Sequence, residues 1–299
     1  MLRIKRFFYN QKVAPYMFVL PFIIIFCAFS IYPMINTILM SFQKVLPGQT
    51  HFIGIKNYTR LFSDKTFFIA LENSIKYMVI TCALLIPFPM LFAAMVNSKH
   101  MPFPNFFKAI LYLPALASVV VSGTIFRLTF SESSDSLMNE IIGLFGAAPI
   151  QWLRVSSTGF TVLIVLCCWR WTGVNIMYFI SGLKSIPREL YESAEIDGAS
   201  SVQQFFKITV PLLKPTTIYV LTISIYAGLA MFTESFMLWN GNNSPRNMGL
   251  TIVGYLYRQG IEKNDLGYGS TVGIVLLVAA MIINVVQLKL NGLFKKEAM

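Results

Sequence analysis

One charged side chain, Arg170, stands inside a run of apolar residues that is long enough to cross a lipid bilayer. Trp169 and Trp171 flank it. An ionisable group at that depth is usually functional or paired, and aromatic faces stack readily on sugar rings. Two interpretations stay open. Either this triplet contacts a solute, or Arg170 snorkels or pairs with a carbonyl while the Trp residues anchor the membrane interface.

Four residues of the next apolar run follow helical spacing, namely Ser224, Gly228, Met231 and Glu234. Gly228 leaves room beside a helix for a ligand, but small residues also serve helix packing. Glu234 could pair with Arg170 or mark an outer gate. The spacing therefore predicts one helix face that either lines a path or packs against a neighbour.

A polar segment, 188–211, lies between these two apolar runs and holds four of the thirteen acidic residues. Pro187 can open a helix, because it lacks the amide donor that a first turn leaves unused. Glu189, Glu192 and Glu195 follow at three-residue spacing, near the positive end of the helix dipole. The pattern predicts a short helix tied at both ends to the bilayer.

Further residues divide the polar segment into two helices. Gly198 suits a left-handed helix end, and a second short helix is predicted from about Ser200 to Thr209, which Pro211 would separate from the next span. Its apolar residues would face a partner: Val202, Phe205, Phe206 and Ile208. An ordinary solvated loop is the alternative, but two Phe residues in a short loop favour partner docking.

The composition is that of a membrane protein. Hydrophobic residues make up 56% of the chain and charged residues 12%, whereas soluble domains have about a quarter of their residues charged. The net charge of +11 is explained by Lys and Arg that face anionic lipid, so it does not indicate nucleic-acid binding. The four cysteines lie in apolar runs without metal-site spacing.

The sequence carries no phosphate-binding loop, since Gly182-Leu-Lys184-Ser185 lacks the upstream glycine and the spacing. It also contains no Ser/His/Asp set, and His51 and His100 stand in loops. We therefore expect no catalysis and no cofactor on this chain, and any ATP must bind a separate protein.

Charge-free intervals place six spans, because a charge at the bilayer centre is costly. The intervals are Lys12 to Lys44, Lys76 to Lys99, Lys108 to Arg127, about 156–183, about 215–237, and Asp265 to Lys289. The expected fold class is an all-α integral membrane protein with six transmembrane helices. With the N-terminus inside, inner segments hold thirteen Lys and Arg residues and outer loops eight, so we expect both termini and 184–213 in the cytoplasm.

The polar segment also resembles the EAA loop of permease subunits of binding-protein-dependent ABC importers. The pattern that carries the resemblance is Glu192-x-Ala194-x-x-x-Gly198, nine residues, then Ile208-x-x-Pro211. Two positions depart from the family pattern, since Ser193 replaces the second Ala and Val210 replaces Leu. Both changes are small, and the implied docking of an ATPase stands.

Other motifs resemble the sugar-importer branch of this family, in its maltose-type first permease subunit. They are Phe52-x-Gly54-x-x-Asn57-Tyr58, Ala70-Leu-x-Asn73, Tyr112-Leu-Pro114, Trp169-Arg-Trp-Thr-Gly173 and Gly267-Tyr268-Gly269. Within that branch the run of motifs most resembles arabino-oligosaccharide permeases.

The resemblance implies a type I ABC importer permease fold in the bacterial cytoplasmic membrane. It implies a segment 1–68 with the first span and an outer loop, a transmembrane core 69–291, and a cytoplasmic tail 292–299. The implied partners are a second permease, two ATPase subunits that bind ATP and Mg, an extracellular solute-binding protein, a sugar and the lipid bilayer. The chain itself is expected to be non-catalytic.

Two sets of site residues follow from the residues and the resemblance together. The expected ATPase-coupling residues are Glu192, Ala194, Asp197, Gly198, Phe205, Phe206, Ile208 and Pro211. The expected substrate path holds Arg170, Trp171, Asn175, Ser224, Gly228, Met231 and Glu234.

Two other classes of protein are weighed against this one. An ion-gradient-driven secondary transporter would have two related halves and buried carboxylates along its path, neither of which is clear here. A membrane-embedded enzyme would need a catalytic constellation. The solute stays open among arabino-oligosaccharides, other oligosaccharides, glycerol phosphodiesters and polyols.

Overall fold

The computed structural model describes residues 14–46, 48–99 and 101–292 of the 299-residue chain. Three features discussed above lie outside the described residues: Lys12 at the start of the first interval, His100, and the predicted tail beyond residue 292.

Helices account for most of the described chain. The first part forms α1 (Ala14–Phe26), a π-helical turn (Cys27–Ile31), α2 (Tyr32–Ser41), strands β1 (Gln43–Leu46) and β2 (Gln49–Phe52), and α3 (Lys56–Ser63). The middle part forms α4 (Lys65–Leu85), α5 (Pro87–Val96), α6 (Pro104–Leu116), α7 (Val119–Thr129), α8 (Leu137–Gly143) and α9 (Ser156–Lys184).

The rest of the chain is also helical. It forms α10 (Arg188–Ile196), α11 (Ser201–Gln204), a π-helical turn (Phe205–Thr209), α12 (Val210–Leu212), α13 (Lys214–Leu229), α14 (Thr233–Leu238), a 3₁₀ turn (Pro245–Asn247), α15 (Ile252–Tyr257), a π-helical turn (Arg258–Glu262) and α16 (Leu266–Leu290). The one exception to an all-α fold among these elements is the antiparallel hairpin of β1 and β2, with Gly48 at φ +75° in its turn.

Four helices of the described chain are long and apolar enough to cross a membrane: Pro15–Ser41, Lys65–Val96, Ser156–Lys184 and Leu266–Leu290. Two bent pairs of helices bring the number to as many as six. In the first of these four helices, none of the apolar 18-residue window is buried within the chain. The chain is therefore a multi-pass membrane protein.

The third span was predicted as one helix, and this is wrong in detail. α6 ends at Leu116, and α7 starts at Val119 with a bend of 92° between them. Ala117 and Ser118 adopt extended backbone angles, with ψ 136° and 138°. Pro114 contributes to this break because it has no N–H to donate inside the helix.

Pro211 was predicted to separate the second loop helix from the next span, and this is also wrong. The chain stays helical through α12, and the 67° bend falls at Leu213 instead. The preceding π-helical turn explains how Pro211 fits. There the N–H of Val210 bonds to the carbonyl of Phe205, and this wider turn accommodates a residue without an N–H.

The fifth span was predicted as one helix over about 215–237, which the structure also corrects. α13 ends at Leu229, and Phe232 leaves the helical region with φ −145° before α14 begins. Glu234 therefore belongs to a different helix from Ser224. The described residues cluster into two compact units, one from 14–63 and 256–275, the other from 64–255 and 276–292.

In the first unit, side chains of α3 fasten the hairpin and the start of α16. Asn57 is buried and donates to the carbonyls of Ser41 and Gln43 at 3.0 and 2.9 Å. Arg60 forms a 2.8 Å ion pair with Asp265. Asn57 thus has a structural role in the outer-loop motif.

In the second unit, α9 packs against α4, α5 and α6 over two buried clusters. Gly173 allows the closest approach, since a Cβ there would strike the Leu111 carbonyl of α6. The same helix carries Arg170 and Asn175 on its buried side. α9 is thus the element on which the second unit is assembled.

Candidate functional site

Arg170 is buried in the second unit and forms an ion pair with Glu234. Its Nη1 donates to Glu234 Oε1 at 3.0 Å, and Arg170 is 9% exposed. The sequence left solute contact, snorkelling and pairing open for Arg170, and pairing or an outer gate for Glu234. The structure supports pairing of the two. A buried pair needs good geometry and further hydrogen bonds, because removing two charges from water is costly.

The Arg170 guanidinium also reaches the break between α6 and α7. Nη2 donates to the Ala117 carbonyl at 3.4 Å, where the helix has ended and that carbonyl has no helical partner. Nε has no hydrogen-bond partner among the described residues. Arg170 therefore connects α9 to α14 and to the break in the third span.

The two Trp residues beside Arg170 face different surroundings. Trp171 lies with its ring 5.5 Å from the guanidinium carbon. Trp169 instead packs on Phe126 at 5.5 Å and borders a separate apolar groove of about 670 Å³. The predicted triplet thus does not face one solute as a unit.

A cavity of about 290 Å³ lies between α4, α9, α13 and α14. Its volume is close to the lower end for small-molecule sites, about 300 Å³. Of the seven predicted path residues, six line it: Trp171, Asn175, Ser224, Gly228, Met231 and Glu234. The seventh, Arg170, is not among the lining residues, but its ion-pair partner Glu234 is.

Gly228 serves helix packing. A Cβ there would lie 2.9 Å from Met78 Cα, so the glycine lets α13 approach α4. Of the two explanations left open for Gly228, packing is the one that this geometry supports, although the residue also borders the cavity.

Asn175 has a structural partner that the sequence did not reveal. Its Nδ2 donates to the Leu85 carbonyl at 2.8 Å. In a continuous helix that carbonyl would accept from residue 89, which is Pro89 and has no N–H. Asn175 thus satisfies the backbone where α4 gives way to α5, and its side-chain oxygen stays available to the cavity.

Sequence reasoning missed the contribution of α4 to the cavity. Tyr77 and Thr81 line it, and Ser74 continues the same helix face. Polar residues stand at positions 74, 77 and 81 of an apolar run and follow helical spacing. This pattern could have predicted a polar face on α4.

Hydrogen bonds hold α14, and with it Glu234, in position. Ser235 Oγ donates to the Gly249 carbonyl, and Trp239 Nε1 donates to the Leu153 carbonyl at 3.0 Å. Thr251 Oγ1 donates to the Met231 carbonyl at 2.7 Å. The segment after α14 thus fixes both the helix and the break before it.

The start of α4 fastens that same segment. Asn73 Nδ2 donates to the carbonyls of Asn247 and Leu250 at 2.8 and 3.0 Å. Asp64 caps α4 at the Thr66 N–H and accepts from the Tyr255 hydroxyl. Burial raises the pKa of Asp64, but the hydrogen bonds from Tyr255 and Thr66 outweigh it and hold this pKa below its ordinary value.

The polar segment 188–211 forms a well-defined helical connection. α10 ends in a Schellman motif, where Gly198 has φ +77° and the Ala199 N–H bonds to the Ala194 carbonyl at 2.8 Å. The Gly198 N–H bonds to the Glu195 carbonyl at 3.1 Å. The left-handed helix end predicted at Gly198 is confirmed.

A second helix follows this turn. Ser200 and Gln203 form a capping box at the start of α11. Tyr191 Oη and Thr209 Oγ1 lie 2.8 Å apart and connect the two helices. The predicted pair of short helices is therefore present, with a π-helical turn over Phe205–Thr209.

The predicted coupling residues differ in exposure. Glu192, Asp197, Gly198, Phe206 and Pro211 are exposed, whereas Ala194, Phe205 and Ile208 are partly buried. Phe205 packs against the buried cluster that includes Ile186 and Leu213. The structure thus turns Phe205 towards its own chain and Phe206 away from it.

Membrane-length helices beside a cavity that a buried ion pair borders, joined by a polar helical connection, are typical of a multi-pass membrane protein of the transport class. The model of the family described as "Binding-protein-dependent transport system inner membrane component" matches residues 5–296, and the chain belongs to this family.

Curated relatives agree with this family. The arabinooligosaccharides transport system permease protein AraP of Bacillus subtilis is 49% identical over 97% of this chain and 92% of its own. Its counterpart in Halalkalibacterium halodurans is 48% identical over 98% and 92%. The lactose transport system permease protein LacF of Rhizobium radiobacter is 29% identical over 95% of this chain and 95% of its own. The predicted resemblance to arabino-oligosaccharide permeases is confirmed.

A solved structure shares the fold. A chain of a bacterial ABC transporter involved in the import of the acidic polysaccharide alginate matches with a TM-score of 0.85 and 25% identity, over 95% of this chain and 96% of that one. The alginate transporter in complex with its pentasaccharide-bound periplasmic protein gives 0.86 at 24% identity, over 97% and 99%.

Proposed function

We propose that this chain is the membrane-spanning permease subunit of an ATP-driven importer of sugars or short oligosaccharides. Arabino-oligosaccharides are the first candidates, because the relatives of about half identity carry that name. The chain would form half of the translocation path and couple to a separate ATPase through 188–211.

The surface of the polar segment is the observation that carries this proposal. Three apolar side chains on it, the docking surface, are largely exposed: Ile196 at 87%, Val202 at 66% and Phe206 at 64%. Glu189, Glu192 and Glu195 are exposed beside them. Apolar groups with a charged rim are typical of protein–protein contact sites, and an ATPase subunit is the occupant that the family suggests.

The contacts behind the docking surface would transmit a movement of the ATPase. The Tyr191–Thr209 hydrogen bond joins the two loop helices, and Phe205 inserts between them and the buried cluster at Leu213. Leu213 is fully buried at the bend before α13. A displacement of 188–211 would therefore move α13, which carries Ser224 into the cavity.

The remaining parts of the system would lie on other chains. A second permease would complete the path, two ATPase subunits would bind ATP and Mg, and an extracellular solute-binding protein would deliver the sugar. We further propose six spans in the cytoplasmic membrane with both termini and 188–211 inside. α6 and α7 together meet the length and composition of a span, and α13 with α14 would form the fifth span after the bend at Leu213.

A substitution in the docking surface tests the coupling. We expect Phe206→Ala to weaken the association of the ATPase by about tenfold or more, as truncation of a central aromatic contact commonly does. The measurement is co-purification of the ATPase with the assembled permease, together with sugar-stimulated ATP hydrolysis in proteoliposomes.

Phe145→Ala is the matched control, because Phe145 is 85% exposed on a loop predicted to face outward. It should leave both measurements unchanged. Normal association and hydrolysis in Phe206→Ala would rule out this docking surface.

A further inference from the structure

The cavity of the second unit has an uneven distribution of charge. Glu234 lines it, whereas its ion-pair partner Arg170 is not among the lining residues. Glu234 is the one carboxylate among the lining residues that the structure describes, and no Lys or Arg is among them. A solute in the cavity therefore meets the negative member of the pair first.

The cavity offers a solute both hydrogen-bond acceptors and hydrogen-bond donors. Thr81 donates its hydroxyl to the carbonyls of Tyr77 and Met78, and Asn175 donates its Nδ2 to Leu85. These two donors are used on the protein itself, whereas Tyr77, Thr233 and Trp171 of the lining carry further donor groups. Asn175 Oδ1 and Glu234 Oε2 are acceptors for a solute, and the Ser224 hydroxyl can donate.

Such a site matches the chemistry of a neutral polyol. Hydroxyl groups of a sugar can donate to Asn175 Oδ1 and Glu234 Oε2, and Trp171 offers an aromatic face on the same wall. A carboxylate is an acceptor alone, so it could not use the acceptors of Asn175 and Glu234, and it would meet the charge of Glu234 before that of Arg170. Arg170 offsets part of this repulsion, and the part that remains is stronger in surroundings of low dielectric than in water.

We propose that Glu234, held in place by Arg170, makes the cavity selective for neutral polyhydroxylated solutes against anionic ones. Glu234 is the specificity-determining residue, and Arg170 is a positioning residue that acts through it. This inference deepens the proposed function and rests on it. The fold does not set the preference, since the alginate importer shares it and takes an acidic polysaccharide.

Charged thiol reagents measure the potential of the cavity without relying on a binding protein. Ser224→Cys is placed in a chain whose four native cysteines are replaced, and the transporter is assembled with its partner subunits in detergent. The rates of modification by a cationic trimethylammonioethyl and an anionic sulfonatoethyl methanethiosulfonate are then compared. We expect the cationic reagent to react about tenfold faster or more.

The same ratio is then measured after substitution of the ion pair. Glu234→Gln leaves Arg170 uncompensated, so the ratio should fall by more than about tenfold, to below one, because the anionic reagent then reacts faster. The Glu234→Gln/Arg170→Gln double variant removes both charges, and with them the negative group that lines the cavity, so it should give a ratio near one. A cysteine at Ser201, exposed on the polar segment, is the control whose ratio should stay constant.

The outcomes separate this inference from the proposed function. Equal rates of the two reagents at Ser224→Cys, or a ratio that Glu234→Gln does not change, would overturn the selectivity. Uptake of a neutral arabino-oligosaccharide by wild-type proteoliposomes is measured in parallel. Uptake with an unchanged ratio rejects the selectivity alone, whereas a changed ratio without uptake rejects the proposed substrate and keeps the charge assignment.

Discussion

Asn175 is a predicted path residue whose observed contact is with the backbone. It donates to the carbonyl of Leu85, which lost its helical partner because position 89 is proline. The amide nitrogen of Asn175 therefore stabilises the fold, and the side-chain oxygen is available to the cavity that the residue lines. A substitution here changes both stability and binding, and only a stability test separates the two.

We expect Asn175→Leu to destabilise the protein by about 1–3 kcal/mol, because it leaves a buried carbonyl without a donor. Adding Pro89→Ala restores an N–H at the position that Leu85 requires, and should recover part of the loss. The measurement is thermal unfolding of the assembled transporter in detergent. Equal stability of the wild type and Asn175→Leu would contradict this role.

At the residue scale the sequence predicted which side chains meet but not all of their partners. Pairing with Arg170 was one of two roles considered for Glu234, and the pair forms at 3.0 Å. Neither the Leu85 partner of Asn175 nor the Ala117 partner of Arg170 could be predicted, because each depends on where a helix breaks. Such contacts come from tertiary packing, which local spacing does not contain.

At the scale of the elements, α10 ends abruptly because Gly198 adopts a left-handed conformation. The left-handed conformation at φ +77° turns the chain so that the N–H groups of Gly198 and Ala199 reach carbonyls of the last turn. The turn then starts α11 in a fixed direction. A Cβ at Gly198 would meet nothing within 4 Å, so backbone strain is the dominant effect of a substitution.

Gly198→Ala should therefore weaken the turn by about 1–2 kcal/mol, the cost of a left-handed residue with a Cβ. Gly198→Asn should cost less, since Asn adopts this conformation more readily. Amide hydrogen exchange at Gly198 and Ala199 reports the change. Gly143→Ala, also in open space but without a positive φ, is the control that should not lose protection. Unchanged exchange in Gly198→Ala would contradict the argument.

At the scale of the elements, Gly198 predicted a helix end correctly and Pro211 did not. The pattern predicted the left-handed end at Gly198 correctly, because that signal is local. Pro211 was expected to end a helix, but the π-helical turn before it absorbs the missing donor and the bend moves to Leu213. The helix breaks after Leu116 and Leu229 were missed, since apolar runs continue across both.

For the whole molecule, hydropathy predicted the membrane class and the approximate position of every candidate span. Charge-free intervals predict spans because every span must be apolar enough to lie in the same bilayer core. They contain no information on bending, so the 92° and 67° bends appeared only in the structure. The cavity likewise combines residues of four helices that are far apart in sequence.

The orientation is tested by the side from which single cysteines react. In a chain without its native cysteines, Phe145→Cys should react with an impermeant maleimide added to intact cells, because its loop is expected outside. Ser201→Cys should react only after the membrane is permeabilised. Labelling of Ser201→Cys in intact cells would contradict the proposed orientation, and with it the access of a cytoplasmic ATPase to 188–211.

The exposed first helix has a consequence for how the chain is made. Because the apolar window of Pro15–Ser41 takes no burial from the rest of the chain, lipid alone can accept it as soon as it leaves the ribosome. Synthesis proceeds at about 5–20 residues per second. The walls of the cavity come from α4, α9, α13 and α14, so the cavity is incomplete until Glu234 has been added. Membrane attachment would thus precede the formation of the path by roughly 10–40 s.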